Sequence, residues 1–110
     1  MTVIKIKPLT VNQAWQGRRF KTDLYKIFER DLYHQLPPLK IPAGKLKVIY
    51  KFGLSNKQAD GDNCIKQFQD ILSKRYGFND SKIYKWDVEK IDVKKGEEFI
   101  EFELLIYAGK

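Results

Sequence analysis

The sequence predicts a small α/β (α+β) domain, a mixed sheet packed against two helices in the order β-α-β-α-β-β. Three observations carry that expectation. Two stretches, 21–36 and 62–75, repeat apolar residues every three or four positions, which is the helical period. Four runs, at 2–7, 45–52, 82–92 and 98–107, read as strands bounded by Gly, Pro, Asn or Asp. The chain has 110 residues with no internal repeat, low-complexity tract or linker, so 1–110 reads as a single domain.

Each element has a local cause. Val3, Ile4 and Ile6 alternate with lysines until Pro8 ends the first strand, and residues 8–20 lack a clean period and read as a loop. Thr22 is a fitting N-cap for the first helix, with Asp23 in its first turn, and Leu24, Ile27, Phe28 and Leu32 form its expected apolar stripe. Pro37, Pro38, Pro42 and Gly44 stop it. Residues 45–52 alternate well and read as a strand, and Gly53, Ser55, Asn56 and Gly61 mark the loop that follows. In the second helix Ile65, Phe68, Ile71 and Leu72 are the apolar positions, and Gly77 stands where a helix C-terminus prefers glycine. Ile83, Val88 and Ile91 begin the last pair of strands. Lys94-Lys95-Gly96-Glu97 reads as the tight turn of a hairpin returning through 98–107.

Composition narrows the function classes. Aromatics make up 14% of the chain, too many for a disordered segment. One cysteine, Cys64, and one histidine, His34, exclude a disulfide framework, a Cys-rich zinc site and a His cluster. Cys64 reads as a small core residue, and the default expectation is a reduced, cytoplasmic compartment with no membrane span. The net charge of +7 points to a polyanionic partner. It is uneven: residues 1–51 carry 11 Lys+Arg against 3 Asp+Glu, whereas 52–110 carry 10 against 11.

The segment richest in chemistry is Asp60-Gly61-Asp62-Asn63-Cys64-Ile65-Lys66-Gln67-Phe68-Gln69-Asp70, followed by Asn79-Asp80. On a helix Asp62, Lys66 and Asp70 fall at i, i+4 and i+8 and share one face, opposite the apolar one. Converging carboxylates suit a hard divalent cation such as Mg²⁺, which keeps waters for a phosphate substrate. A neighbouring lysine suits the charge that develops on that phosphate. The same residues also fit a plainer reading, in which Asp60 or Asp62 caps the helix and Asp62 pairs with Lys66 on the surface. A calcium EF-hand is excluded, since the twelfth position counted from Asp60 is Ile71.

This pattern resembles the RusA family of Holliday junction resolvases across residues 60–83: Asp60-x-Asp62-Asn63, Lys66, Asp70, Gly77, then Asp80-Ser81-Lys82-Ile83. Asn12 and the basic stretch Gly17-Arg18-Arg19-Phe20-Lys21 look similar as well. The resemblance implies a homodimeric, Mg²⁺-dependent endodeoxyribonuclease (with Mn²⁺ a substitute) that makes paired symmetric nicks in four-way DNA junctions, in the cytoplasm of a bacterial or phage-infected cell. It uses no organic cofactor. Asp60, Asp62 and Asp80 match the metal-binding acids and Lys66 the catalytic lysine, with Asp70 and Asn63 as supporting residues.

Outside that segment, Arg18, Arg19, Lys21, Lys57, Lys74 and Arg75 are the candidate DNA contacts. Trp15 reads either as a base-stacking residue or as a pin holding its loop to the core, and Tyr84 and Trp86 as core or dimer packing. Two other readings stay open: a non-enzymatic basic nucleic-acid-binding protein, and a nuclease for other branched substrates.

Overall fold

A computed structural model describes residues 1–16 and 20–109, apart from the side chains of Gln16 and Phe20. In chain order the elements are β1 (Thr2–Ile4), a short helix α1 (Val11–Ala14), β2 (Trp15–Gln16), β3 (Phe20–Lys21), α2 (Asp23–Gln35), β4 (Leu46–Leu54), α3 (Ile65–Tyr76), β5 (Ile83–Asp92) and β6 (Phe99–Ile106). Single 3₁₀ turns, Gly61–Cys64 and Asp80–Lys82, lead into α3 and β5. The main sheet is mixed and four-stranded, ordered β1-β6-β4-β5, with β4 parallel to β5 and antiparallel to β6. The mixed α/β class is as expected. No helix among the described residues is long and apolar enough to cross a membrane.

β4 is central because its alternation lets it be. Leu46, Val48, Tyr50 and Phe52 are fully buried on the helix side, while Lys47, Ile49 and Lys51 are half-buried on the other. Phe68 of α3 sits among Tyr50, Phe52 and Phe102, with ring centroids 5.3, 5.9 and 5.7 Å away, in edge-on geometry. Tyr25, Phe28 and Leu32 of α2 join the same core. On the open face Lys51 and Glu101, opposite one another across the β4–β6 pair, stand 3.5 Å apart.

Three expectations are corrected. The 8–20 stretch is more than a loop: it holds α1 and the β2–β3 ribbon, elements too short to leave a period. Long-range bonds hold them instead, with the Thr22 amide donating to the Ala14 carbonyl at 3.0 Å and the Thr22 hydroxyl to the Gln13 carbonyl. The apolar stripe of α2 is rotated. Tyr25, Phe28 and Leu32 are buried, whereas Leu24 and Ile27 are exposed, because the ribbon brings Trp15 over Tyr25 at 5.3 Å and draws that edge of the helix inward. Finally, β5 and β6 do not form a hairpin. β4 lies between them, and the connection crosses its end, where the Val93 amide donates to the Leu54 carbonyl at 3.0 Å. Gly53 makes room there, since a Cβ at that position would run into the Phe99 ring.

Candidate active site

The carboxylate-bearing face of α3 forms one wall of an open concavity of about 560 Å³. Asp62, from the 3₁₀ turn, and Ile65, Lys66, Gln69 and Asp70, from the helix, line it. Asp80, from the turn before β5, and Trp86, on β5 itself, close the opposite side. The helical ladder explains the gathering: positions 62, 66 and 70 look one way while Phe68, Ile71 and Leu72 are buried the other way. Ile65, expected among the core residues, is half-buried and lines the concavity instead.

The base of the site is a hydrogen-bonded chain. The Gln69 side-chain oxygen accepts from the Tyr50 hydroxyl at 3.1 Å and from the Trp86 indole N–H at 2.8 Å. The Lys66 ammonium lies 4.9 Å from the centre of the Trp15 ring, a cation–π contact. The plainer reading of the acids is not realised. The Asp60 side chain makes no capping bond. Among the described residues the ion pairs are Arg30–Asp31, Lys51–Glu101 and Lys74–Glu29, so Asp62 and Lys66 are not joined. The backbone holds this turn instead, the Asn63 main-chain N–H donating to the Asp60 carbonyl at 3.2 Å, while the Asn79 side chain caps the turn before β5, accepting from the Ser81 amide at 2.9 Å.

Charge is concentrated here. Burial pushes the Asp70 carboxyl up, the negative charge of Asp80 adds to that, and Lys66, Lys74 and Lys21 oppose it. Burial, then Asp80, also pushes the Tyr50 hydroxyl up. Cys64, beneath Asp62, is buried as expected, and its thiol is pushed up to about 11, by burial first and by Asp62 second.

The expected trio Asp60, Asp62 and Asp80 is only partly brought together. Asp62 and Asp80 line the concavity and Asp60 is not among its lining residues. Among the described residues no three of His, Cys, Asp and Glu form a group that could hold one metal ion. The donors that are present, Asp62, Asp70 and Asp80, are hard oxygen ligands around an open space. That suits a Mg²⁺ held by one or two carboxylates with water completing its shell.

The basic residues divide. Lys21 and Lys74 are close neighbours beside Asp70, and the nearby Lys74 ammonium, with burial, pushes Lys21 down. Lys74 also lies 3.8 Å from Glu29, and Lys21 stands over the Tyr25 ring. Lys57 is exposed on the loop before Asp60, its carbonyl accepting from the Lys90 ammonium at 2.6 Å. Arg75 is turned to a structural use, reaching the Leu36 carbonyl at 3.5 Å and covering the Tyr76 ring. Arg18 and Arg19 lie outside the described residues.

Sequence reasoning missed Gln69, and of the two readings of Trp86 core packing is not realised, since the ring is exposed and lines the concavity. Gln69 lay three residues after Lys66, one helical step along the same face, which was the available signal. Trp15 takes the structural role of its two readings: it is half-buried and packed against the core. Comparison of the chain with protein-family models and with curated proteins finds no match in either.

Proposed function

We propose that this chain is a metal-dependent, structure-selective endonuclease acting on branched DNA, four-way junctions above all, and working as a homodimer. The observation that carries this reading is the gathering of Asp62, Lys66, Asp70 and Asp80 around one open concavity, with Lys21 and Lys74 on its flank. It agrees with the roles that the resemblance to RusA-type resolvases implies for Asp62, Lys66 and Asp80. A divalent cation, when bound, supplies a Lewis acid for the phosphodiester and an activated water. Asp62 and Asp80, with Asp70 beside them, would hold it, and Asp60 would join only by movement of its turn.

The chain's own contribution is electrostatic. Lys66, four residues from an acid on either side along the helix, offers a positive charge to a phosphate that the carboxylates alone would repel. Lys21 and Lys74 suit the neighbouring phosphate of the same strand. A C2 dimer would present two such sites to the two-fold symmetry of a junction.

The absence of a three-acid group among the described residues favours a second reading, a basic nucleic-acid-binding module without catalysis. One experiment separates them: a labelled four-way junction and a linear duplex of the same sequence, each incubated with Mg²⁺, with Mn²⁺ and with EDTA. Metal-dependent paired nicks confined to the junction are expected. Binding without cutting in either metal refutes the endonuclease and leaves the binding module.

A further inference from the structure

Trp86 is one of two tryptophans in the chain, and it stands 46% exposed on the wall of the candidate site. We propose that Trp86 is a stacking platform for an unpaired base of nucleic acid held over the acidic wall, and that it helps select branched or single-stranded DNA over perfect duplex. The inference rests on the reading above and deepens it.

Three features converge on this residue. First, its ring is aimed. The β4–β5 register pairs Leu46 with Ile83 but Lys47 with Lys85, so Tyr84 is skipped and the strand is re-phased. Trp86 is thereby set opposite Val48, on the helix side of the sheet and facing α3. Local register irregularities beside a site commonly re-aim a side chain in this way. Second, the ring is held. Its N–H is bound to Gln69 at 2.8 Å, and Gln69 is anchored in turn by the buried Tyr50 hydroxyl at 3.1 Å. A ring fixed before binding loses little freedom when a base meets it. Third, Trp86 is the tryptophan with surface to offer. Trp15 is packed against Tyr25 and covered by the Lys66 ammonium.

The chemistry of the surroundings chooses the ligand. In this concavity Lys66 suits a phosphate, whereas the Trp86 ring, set among Asp62, Asp70 and Asp80, suits an uncharged nucleobase that offers a π-face. In a continuous duplex those faces are already stacked on one another. They become available where strands part, as at a branch point or in a single strand.

The test uses the intact chain in EDTA, which holds back cutting, titrated with a four-way junction, a single-stranded oligonucleotide and a perfect duplex. Trp86→Ala is expected to weaken the first two roughly tenfold and to leave duplex binding unchanged. Trp86→Phe keeps a ring but loses the bond to Gln69, and it is expected to retain most of the affinity. In the unmodified chain the single strand quenches tryptophan emission, and in Trp86→Phe that quenching disappears, a readout that does not depend on how well the alanine variant folds. Equal weakening on all three probes, Trp86→Phe as weak as Trp86→Ala, or no quenching overturns the proposal. Junction-selective binding that needs Trp86, without cutting in any metal, supports the platform and removes the endonuclease. Cutting that is indifferent to Trp86→Ala, without quenching, does the opposite.

Discussion

Lys66 and Asp62 lie one helical turn apart without touching, and that separation is their chemical interest. An exposed pair that had closed would contribute well under about 1 kcal/mol and leave neither group free. With Lys66 parked over Trp15 instead, both remain available to a substrate. Asp62→Asn is expected to abolish cutting while junction binding in EDTA survives or tightens, because one negative charge is gone. Lys66→Met is expected to slow single-turnover cleavage by about 10²–10³-fold, the usual cost of removing one group that stabilises transition-state charge. Gel shift and circular dichroism on the same samples check the two outcomes, and loss of fold in either variant would make that residue structural. At this scale the acids and the lysine were legible in the sequence, because they repeat along one helix. Gln69 and Trp86 were not, because their roles depend on each other across 17 residues of chain.

The helices show how far local signals reach. Thr22 caps α2 as its position suggested, its hydroxyl accepting from the Tyr25 amide at 3.2 Å. α3 ends at Gly77 with φ of 69°, the left-handed conformation that costs an L-side chain about 1 kcal/mol or more. A Cβ there meets nothing within 4 Å, so the cost is conformational rather than steric. Gly77→Ala should therefore destabilise the protein by about 1 kcal/mol with an unchanged denaturant slope, as urea unfolding would measure. A larger loss or an altered slope would mean that the Phe78–Asp80 segment moves with it. Caps and glycine stops are written in four or five consecutive residues, which is why they could be read. The buried side of α2 could not. Its sequence supports two overlapping stripes, and the choice between Leu24–Ile27 and Tyr25 is made by the ribbon packed over it.

The whole molecule is built around Phe68, whose ring touches aromatics from both β4 and β6. Phe68→Ala would leave a cavity where strands from distant parts of the chain meet. The expected loss is about 3–5 kcal/mol, measured as a lowered denaturant midpoint. A loss under about 1 kcal/mol would show that the aromatic cluster does not hold the sheet to α3. The same packing decides strand order. β4 has buried residues along its whole length and pairs on both edges, which leaves β5 at the rim and forbids the β5–β6 hairpin that Lys94–Glu97 suggested. Being at the rim is also what exposes Trp86 beside the acids.

Read alone, the residue order was enough for the α/β class, the two main helices with their caps, and the acid–lysine ladder of α3. All of these rest on hydrogen bonds and periodicities within a few residues of one another. Strand order, the one-residue shift that turns Trp86 inward, the ribbon that reorients α2 and the approach of Asp80 to Asp70 came only from three-dimensional packing. Each depends on contacts between segments far apart in the chain, whose free energy appears only when the shared core excludes water.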